Sequence, residues 1–257
     1  MGVWLFVLIT YGSTWALNLS QRNAAAAGSP EAIDTFLFGT VWTPTLAALL
    51  LTSVVEGRRS LVRLLGSVFR VPHRGWWFAT AVAVPCAVVG LALLIARAFG
   101  DSAPPPGVSL WPSIVGMQFL TGAVGEELGW RAFLVPRLTR HFGFTTGAML
   151  GGGLWSGWHI AGAFFPGLGP HAAPLLPFLL FVTLFGVFLA FVFAGGQHLL
   201  APILAHVSLN VTLALAGVPL TSRPFWWTLV VGAAAVAAAV VIAPQPANIA
   251  LEPTTRS

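Results

Sequence analysis

Long apolar segments recur along the whole chain and are separated by short polar connections. The segments lack the period-2 alternation of half-buried strands, and each is close to the roughly 20 residues that a helix needs to cross a bilayer. Since backbone amides in lipid must be paired within their own segment, we expect helices rather than barrel strands. The pattern predicts about eight spans, near residues 2–19, 36–55, 76–96, 111–135, 145–165, 174–195, 199–218 and 225–243.

Composition favours a single membrane-embedded unit. Hydrophobic residues make up 57% of the 257 residues and charged residues only 7%, which is unusual for a soluble domain. The polar connections are too short to fold alone, and no internal repeat is visible. We therefore predict an all-α, polytopic transmembrane helical bundle over residues 1–245 and a disordered cytoplasmic tail over residues 246–257.

The arginines predict the orientation, because positively charged loops favour the cytoplasmic side. All 12 basic residues are arginines, and several fall in one connection between the second and third predicted spans: Arg58, Arg59, Arg63, Arg70 and Arg74. With eight spans both termini are then cytoplasmic, as in a bacterial inner membrane protein. In a seven-span alternative the fourth or fifth segment is re-entrant, and the membrane orientation of everything after it is reversed. The net charge of +5 predicts attraction to anionic lipid rather than nucleic-acid binding.

One apolar segment contains a cluster of charged side chains, Glu126, Glu127 and Arg131. Charged groups within a bilayer are costly, so they usually face a cavity, a partner or a substrate. Glu127 and Arg131 are four residues apart and share a helix face, whereas Glu126 is rotated by about 100° from Glu127. We expect Arg131 to pair with Glu127 and Glu126 to act as a general base. The alternative is an interfacial ion pair without catalytic function.

His159 lies on the next apolar segment, shortly after the glycine run 151–153. Glycines allow helix backbones to approach closely, so this helix is expected to pack near the acidic one and to present its imidazole to Glu126. The alternative is a histidine that only bridges two helices through a hydrogen bond.

His206 and Asn210 are four residues apart on a later segment and therefore share one helix face. Two such side chains can point together at a developing oxyanion, or the histidine can bind a metal ion. Hydrogen bonding between helices is again the alternative. The remaining histidines are expected at the surface: His73, His141, His171 and His198.

Three short runs, EELGWR at 126–131, WSGWH at 155–159 and HVSLN at 206–210, together resemble the motifs of the CPBP intramembrane proteases. That family includes the CAAX prenyl endopeptidases of the Rce1 type and the bacterial abortive-infection and bacteriocin self-immunity proteins. Its pattern is EExxxR, then FxxxH, then HxxxN or HxxxD on successive membrane helices. The chain matches the first and third motifs and has Trp155 where the second has phenylalanine.

The resemblance implies hydrolysis of peptide bonds in membrane-associated or lipidated substrates. It assigns a role to each candidate residue: Glu126 and His159 activate the attacking water, His206 and Asn210 stabilise the oxyanion, and Glu127 with Arg131 orders the site. The family is commonly called a metalloprotease group, and zinc held by His159, His206 and Glu126 is compatible with the residues. A metal-free, glutamate-dependent mechanism is equally compatible, because the sequence lacks HExxH.

Two other classes of function remain open at this point. A catalytically silent relative could serve as a membrane scaffold or self-immunity protein. A small proton-coupled transporter would also keep glutamate, arginine and histidine within the membrane, but transporters more often show inverted repeats, which this chain lacks.

Overall fold

The computed structural model describes residues 2–29, 31–32, 35–69, 75–164 and 172–244. Every regular element in these ranges is a helix, and they contain no strand. The protein is therefore a polytopic helical bundle, as the apolar pattern predicts. The predicted tail at 246–257 lies outside the described residues.

The first half of the chain forms α1 (Gly2–Ala26), α2 (Thr43–Leu51), α3 (Arg58–Gly66) and α4 (Trp76–Ala98). π-helical segments flank α2 on both sides, at Thr35–Thr40 and Thr52–Glu56. The second half forms α5 (Val108–Phe142), α6 (Phe144–Trp158), α7 (Leu175–Gly196), α8 (Leu200–Leu215) and α9 (Arg223–Ile242). A 3-10 segment, His159–Phe164, continues α6.

Among the described residues, six helical segments are long and apolar enough to cross a membrane: α1, α4, α5, α7, α9 and the segment Phe38–Glu56 that contains α2. Each predicted span coincides with a helix, but α6 and α8 have only 15 and 16 residues. A helix of that length extends about 24 Å, which is less than the roughly 30 Å of a hydrocarbon core. The predicted span at 199–218 is thus a shorter helix, whereas the predicted span at 145–165 consists of α6 and the 3-10 segment that continues it. Both carry site residues within the bundle.

Helix α7 lies at the centre of the bundle. It contacts α4, α6, α8 and α9, and 61% of its most apolar window is buried by other parts of the protein. A helix that is apolar on all faces is expected in such a position. Its buried phenylalanines, among them Phe181, Phe185 and Phe188, fill the space between these helices.

Glycines place α6 directly against its neighbours, as the glycine run predicts. A Cβ added to Gly152 would lie 2.3 Å from the carbonyl oxygen of Thr183 on α7. A Cβ added to Gly147 would lie 2.5 Å from the backbone of Thr139 near the end of α5. No side chain fits at either position, so α6 is held in backbone contact with α7 and with the acidic helix α5.

The two glutamates lie between two glycines, Gly125 and Gly129, which pack against the start of α2. A Cβ on Gly129 would approach the backbone of Pro44 to 2.5 Å, and a Cβ on Gly125 would approach the carbonyl oxygen of Val41 to 3.1 Å. π-helical segments lie on both sides of the short α-helical turn Val124–Glu127. Such π segments often occur at functional sites. The tight packing fixes this acidic turn against α2.

Candidate active site

A cavity of about 340 Å³ opens between α1, the segment before α2 and the helices from α5 to α9. Four residues that the sequence analysis selected line this cavity: Glu126, His159, His206 and Asn210. They come from α5, from the segment after α6 and from α8. The structure therefore brings together side chains that are separated by up to 84 positions in the sequence, since 210 − 126 = 84.

Glu127 and Arg131 lie behind the cavity rather than on its wall. Arg131 Nη1 is 3.2 Å from Glu127 Oε1, which confirms the expected ion pair. The Glu127 side chain is fully buried, and Arg131 is only 1% exposed. Because an uncompensated buried charge is costly, each member of this pair requires the other.

His206 is anchored from behind by the same carboxylate oxygen. Its Nδ1 lies 2.8 Å from Glu127 Oε1. A carboxylate oxygen accepts, so Nδ1–H donates, and the tautomer and ring orientation are fixed on that side. His206 lines the cavity, whereas Glu127 does not.

Trp155 connects the charged groups of the site. Its Nε1–H donates to Glu126 Oε2 over 2.6 Å, and the guanidinium carbon of Arg131 lies 3.9 Å from the centre of its ring. The rings of His159 and His206 both meet it edge-on, with centroids 5.2 Å away. The sequence analysis treated Trp155 only as an aromatic replacement for phenylalanine, although an indole N–H can donate a hydrogen bond that phenylalanine cannot.

His159 lines the cavity, but the hydrogen bond that α6 makes to Glu126 comes from Trp155, one helical turn earlier. The Nδ1 atom of His159 lies 2.8 Å from the carbonyl oxygen of Trp155. A carbonyl oxygen only accepts, so His159 Nδ1–H donates in this hydrogen bond. Edge-on contacts with Trp158 and Phe178 also orient the ring.

Asn210 is partly buried one helical turn after His206. Its Nδ2 would lie 3.1 Å from a Cβ added at Gly122 on α5. The missing side chain at Gly122 therefore provides the space that the Asn210 amide occupies. The amide and the His206 ring line the same cavity, as their spacing of four residues predicts.

The zinc site that the family resemblance suggests, at His159, His206 and Glu126, stays a prediction. Within the part of the chain that the structure describes, no three His, Cys, Asp or Glu side chains gather to hold a metal ion. No step proposed below involves a metal.

Helix α1 and the segment before α2 contribute further polar residues to the cavity wall, Thr14, Asn18 and Thr40. Thr14 accepts a hydrogen bond from Trp158 Nε1 over 2.8 Å, and Thr40 donates to Asn18 Oδ1 over 2.8 Å. These three residues were not among the candidates predicted from the sequence. Thr14 and Asn18 are spaced by four on one helix face, but such residues in apolar helices commonly bridge helices.

The prediction that His198 lies at the surface is wrong. Its side chain is fully buried against Phe78, with ring centroids 4.8 Å apart, and its Nδ1 accepts a hydrogen bond from the N–H of Ala201. This burial lowers the pKa of His198. His141 is exposed, as expected, whereas positions 73 and 171 lie outside the described residues.

Residues 107–212 match a family model described as type II CAAX prenyl endopeptidase, Rce1-like. The matched segment contains α5, α6, α7 and most of α8, and it therefore carries all six candidate residues of the sequence analysis. No curated protein matches the chain. The polar residues on the cavity wall from α1 and from the segment before α2 lie outside the matched segment.

Proposed function

We propose that this chain, whose residues 107–212 match the Rce1-like type II CAAX prenyl endopeptidase model, is an intramembrane endopeptidase that cleaves membrane-associated or lipidated peptides. One observation carries the proposal, namely the convergence of a carboxylate, two imidazoles and a carboxamide on one cavity. Hydrolysis of a peptide bond requires a base for water and donors for the oxyanion. The side chains that line this cavity include both types of group.

Glu126 is the proposed general base. Trp155 holds its Oε2 atom, so Oε1 is the oxygen that accepts a proton from the attacking water. The water oxygen then bonds to the scissile carbonyl carbon, and the proton on Glu126 passes to the leaving amine as the peptide bond breaks. His159 lines the same cavity, and in this proposal it acts with Glu126 to activate the water.

His206 and Asn210 are the proposed donors to the oxyanion. His206 already donates through Nδ1 to Glu127, so it can donate through Nε2 only as the imidazolium. The Glu127 carboxylate supplies the counter-charge for that form, and Asn210 Nδ2 supplies a neutral second donor.

Glu127 and Arg131 position the site without touching the substrate. Arg131 pairs with Glu127 and also stacks on the ring of Trp155. The two residues therefore link the orientation of His206, through Glu127, to that of Glu126, through Trp155. Any displacement of Arg131 is expected to disturb both the base and the oxyanion donors.

The test uses the purified full-length protein in proteoliposomes with a fluorogenic peptide that carries a farnesylated CAAX sequence. We expect cleavage by the wild type and none by Glu126→Gln, with unchanged far-UV circular dichroism and elution volume. Glu31→Gln makes the same chemical change at an exposed glutamate outside the cavity and should retain full activity.

Parallel assays with the unlipidated peptide and with a transmembrane peptide define the substrate class. A wild-type protein that cleaves none of the three peptides, or a Glu126→Gln variant that cleaves like the wild type, would contradict the proposal. Binding of these peptides without cleavage would instead indicate the silent scaffold considered in the sequence analysis.

A further inference from the structure

The cavity has a second polar region, which the proposed mechanism does not use. Asn18 of α1 and Thr40, in the π-helical segment before α2, both line the cavity. Both residues lie outside the segment 107–212 that matches the family model. Their role therefore has to be inferred from their own contacts.

Asn18 has an incomplete set of hydrogen bonds. Its side chain is buried, with 1% of the residue exposed. Thr40 Oγ1 donates to its Oδ1, whereas its Nδ2 has no hydrogen-bond partner within the described part of the chain. A buried donor without a partner destabilises a protein, because it loses its hydrogen bonds to water and gains none in return. Such a cost is retained at functional sites when a ligand supplies the missing acceptor.

The bond from Thr40 determines what kind of ligand fits. Thr40 donates to the oxygen of the Asn18 amide, so the amide nitrogen is the group that remains for a ligand. An amide nitrogen donates, and the ligand must therefore provide a hydrogen-bond acceptor. A peptide carbonyl is such an acceptor. The segment of a substrate around the scissile bond must be extended for attack, and its backbone groups then lose their helical partners. In an apolar environment these groups must be paired by the enzyme.

We propose that Asn18, oriented by Thr40, is a substrate-binding residue that donates from Nδ2 to a backbone carbonyl of the extended substrate segment. The inference rests on the proposed endopeptidase function and adds a binding subsite from α1 to it. This subsite recognises unwound backbone rather than a particular side chain. It therefore contributes to binding of the substrate and not to the bond-breaking step.

The first test separates binding from chemistry with Asn18→Leu and Thr40→Val. Loss of one neutral hydrogen bond is expected to raise KM for the farnesylated peptide about threefold to tenfold, with kcat unchanged. Thr10→Val is the matched control, because Thr10 lies on the same face of α1 but does not line the cavity, and its buried hydroxyl also lacks a partner among the described residues. Thermal unfolding establishes that each variant is folded, and Thr40→Val tests the subsite even if Asn18→Leu fails to fold.

The second test identifies the contact chemically. Esters replace successive peptide bonds of the farnesylated peptide around the cleavage site, which weakens one carbonyl acceptor at a time. Kd is measured in the Glu126→Gln background, where no turnover interferes. We expect an ester at one position to raise Kd for the Glu126→Gln protein. The same ester should leave Kd unchanged when Asn18→Leu is also present.

The outcomes distinguish the two proposals. Cleavage by the wild type with unchanged KM in Asn18→Leu and Thr40→Val, or ester effects that persist in Asn18→Leu, would overturn the subsite alone. If the wild type does not cleave, the endopeptidase proposal fails and the binding experiment still decides the subsite. If the peptide neither binds nor is cleaved, both proposals are overturned.

Discussion

The hydrogen bond from Trp155 to Glu126 leads to a specific prediction for Trp155→Phe. Phenylalanine retains an aromatic ring beside Arg131 and the two histidines, but it removes the N–H that lies 2.6 Å from the carboxylate. Glu126 then has one buried oxygen without its donor, and its carboxyl group is free to rotate. The substitution therefore tests whether this bond positions the proposed base.

The magnitude follows from the kind of bond that is lost. A hydrogen bond to a charged group contributes about 1.5–3 kcal/mol to stability. A base displaced by about 1 Å can reduce the rate by about a hundredfold. We therefore expect Trp155→Phe to lower the free energy of unfolding by about 1.5–3 kcal/mol and to reduce kcat by about a hundredfold, with a much smaller change in KM.

Trp130→Phe is the matched control, because it deletes the same atoms from another buried indole. Trp130 does not line the cavity, and its Nε1 has no hydrogen-bond partner within the described ranges. It should lower stability through lost packing while retaining kcat. The assay measures initial rates on the fluorogenic farnesylated peptide in proteoliposomes, with chemical denaturation of the same samples. A Trp155→Phe protein with wild-type kcat would refute the positioning role.

Three further predictions concern stability, each measured by unfolding in detergent. Arg131→Met leaves Glu127 buried without its ionic partner and should destabilise the protein by about 3–5 kcal/mol. Gly129→Ala places a methyl group in the tight contact between α5 and α2 and should cost about 1–3 kcal/mol. His198 has a lowered pKa, so the folded state binds fewer protons there than the unfolded chain; its contribution to stability should fall as the pH drops below about 6.5 and should be constant above it.

Each of these predictions has a control in the chain. Adding Glu127→Leu to Arg131→Met removes the unpaired charge and should restore part of the lost stability. Gly90→Ala changes a helical glycine with open space around its Cα and should be neutral or stabilising. His198→Gln should flatten the pH dependence, and a pH profile that is unchanged by this substitution would contradict the assignment to His198.

The sequence by itself determined the helices and the partners within one helix. Long apolar segments require helices in lipid, because only a helix pairs its backbone groups locally. The spacing of four residues similarly places Arg131 beside Glu127 and Asn210 on the face of His206, because the period of a helix is fixed. The three short motifs of the family resemblance could also be recognised from the sequence alone. The match over residues 107–212 confirmed that resemblance.

Only the tertiary structure decided which residues meet between helices. The hydrogen bonds from His206 to Glu127, from Trp155 to Glu126 and from Thr40 to Asn18 join separate elements. Such contacts depend on how closely the helix backbones approach each other, and the glycine contacts determine that distance. The period of a single helix contains no information about it. The burial of His198 has the same origin, because a polar residue in a turn reveals nothing about the helices that cover it.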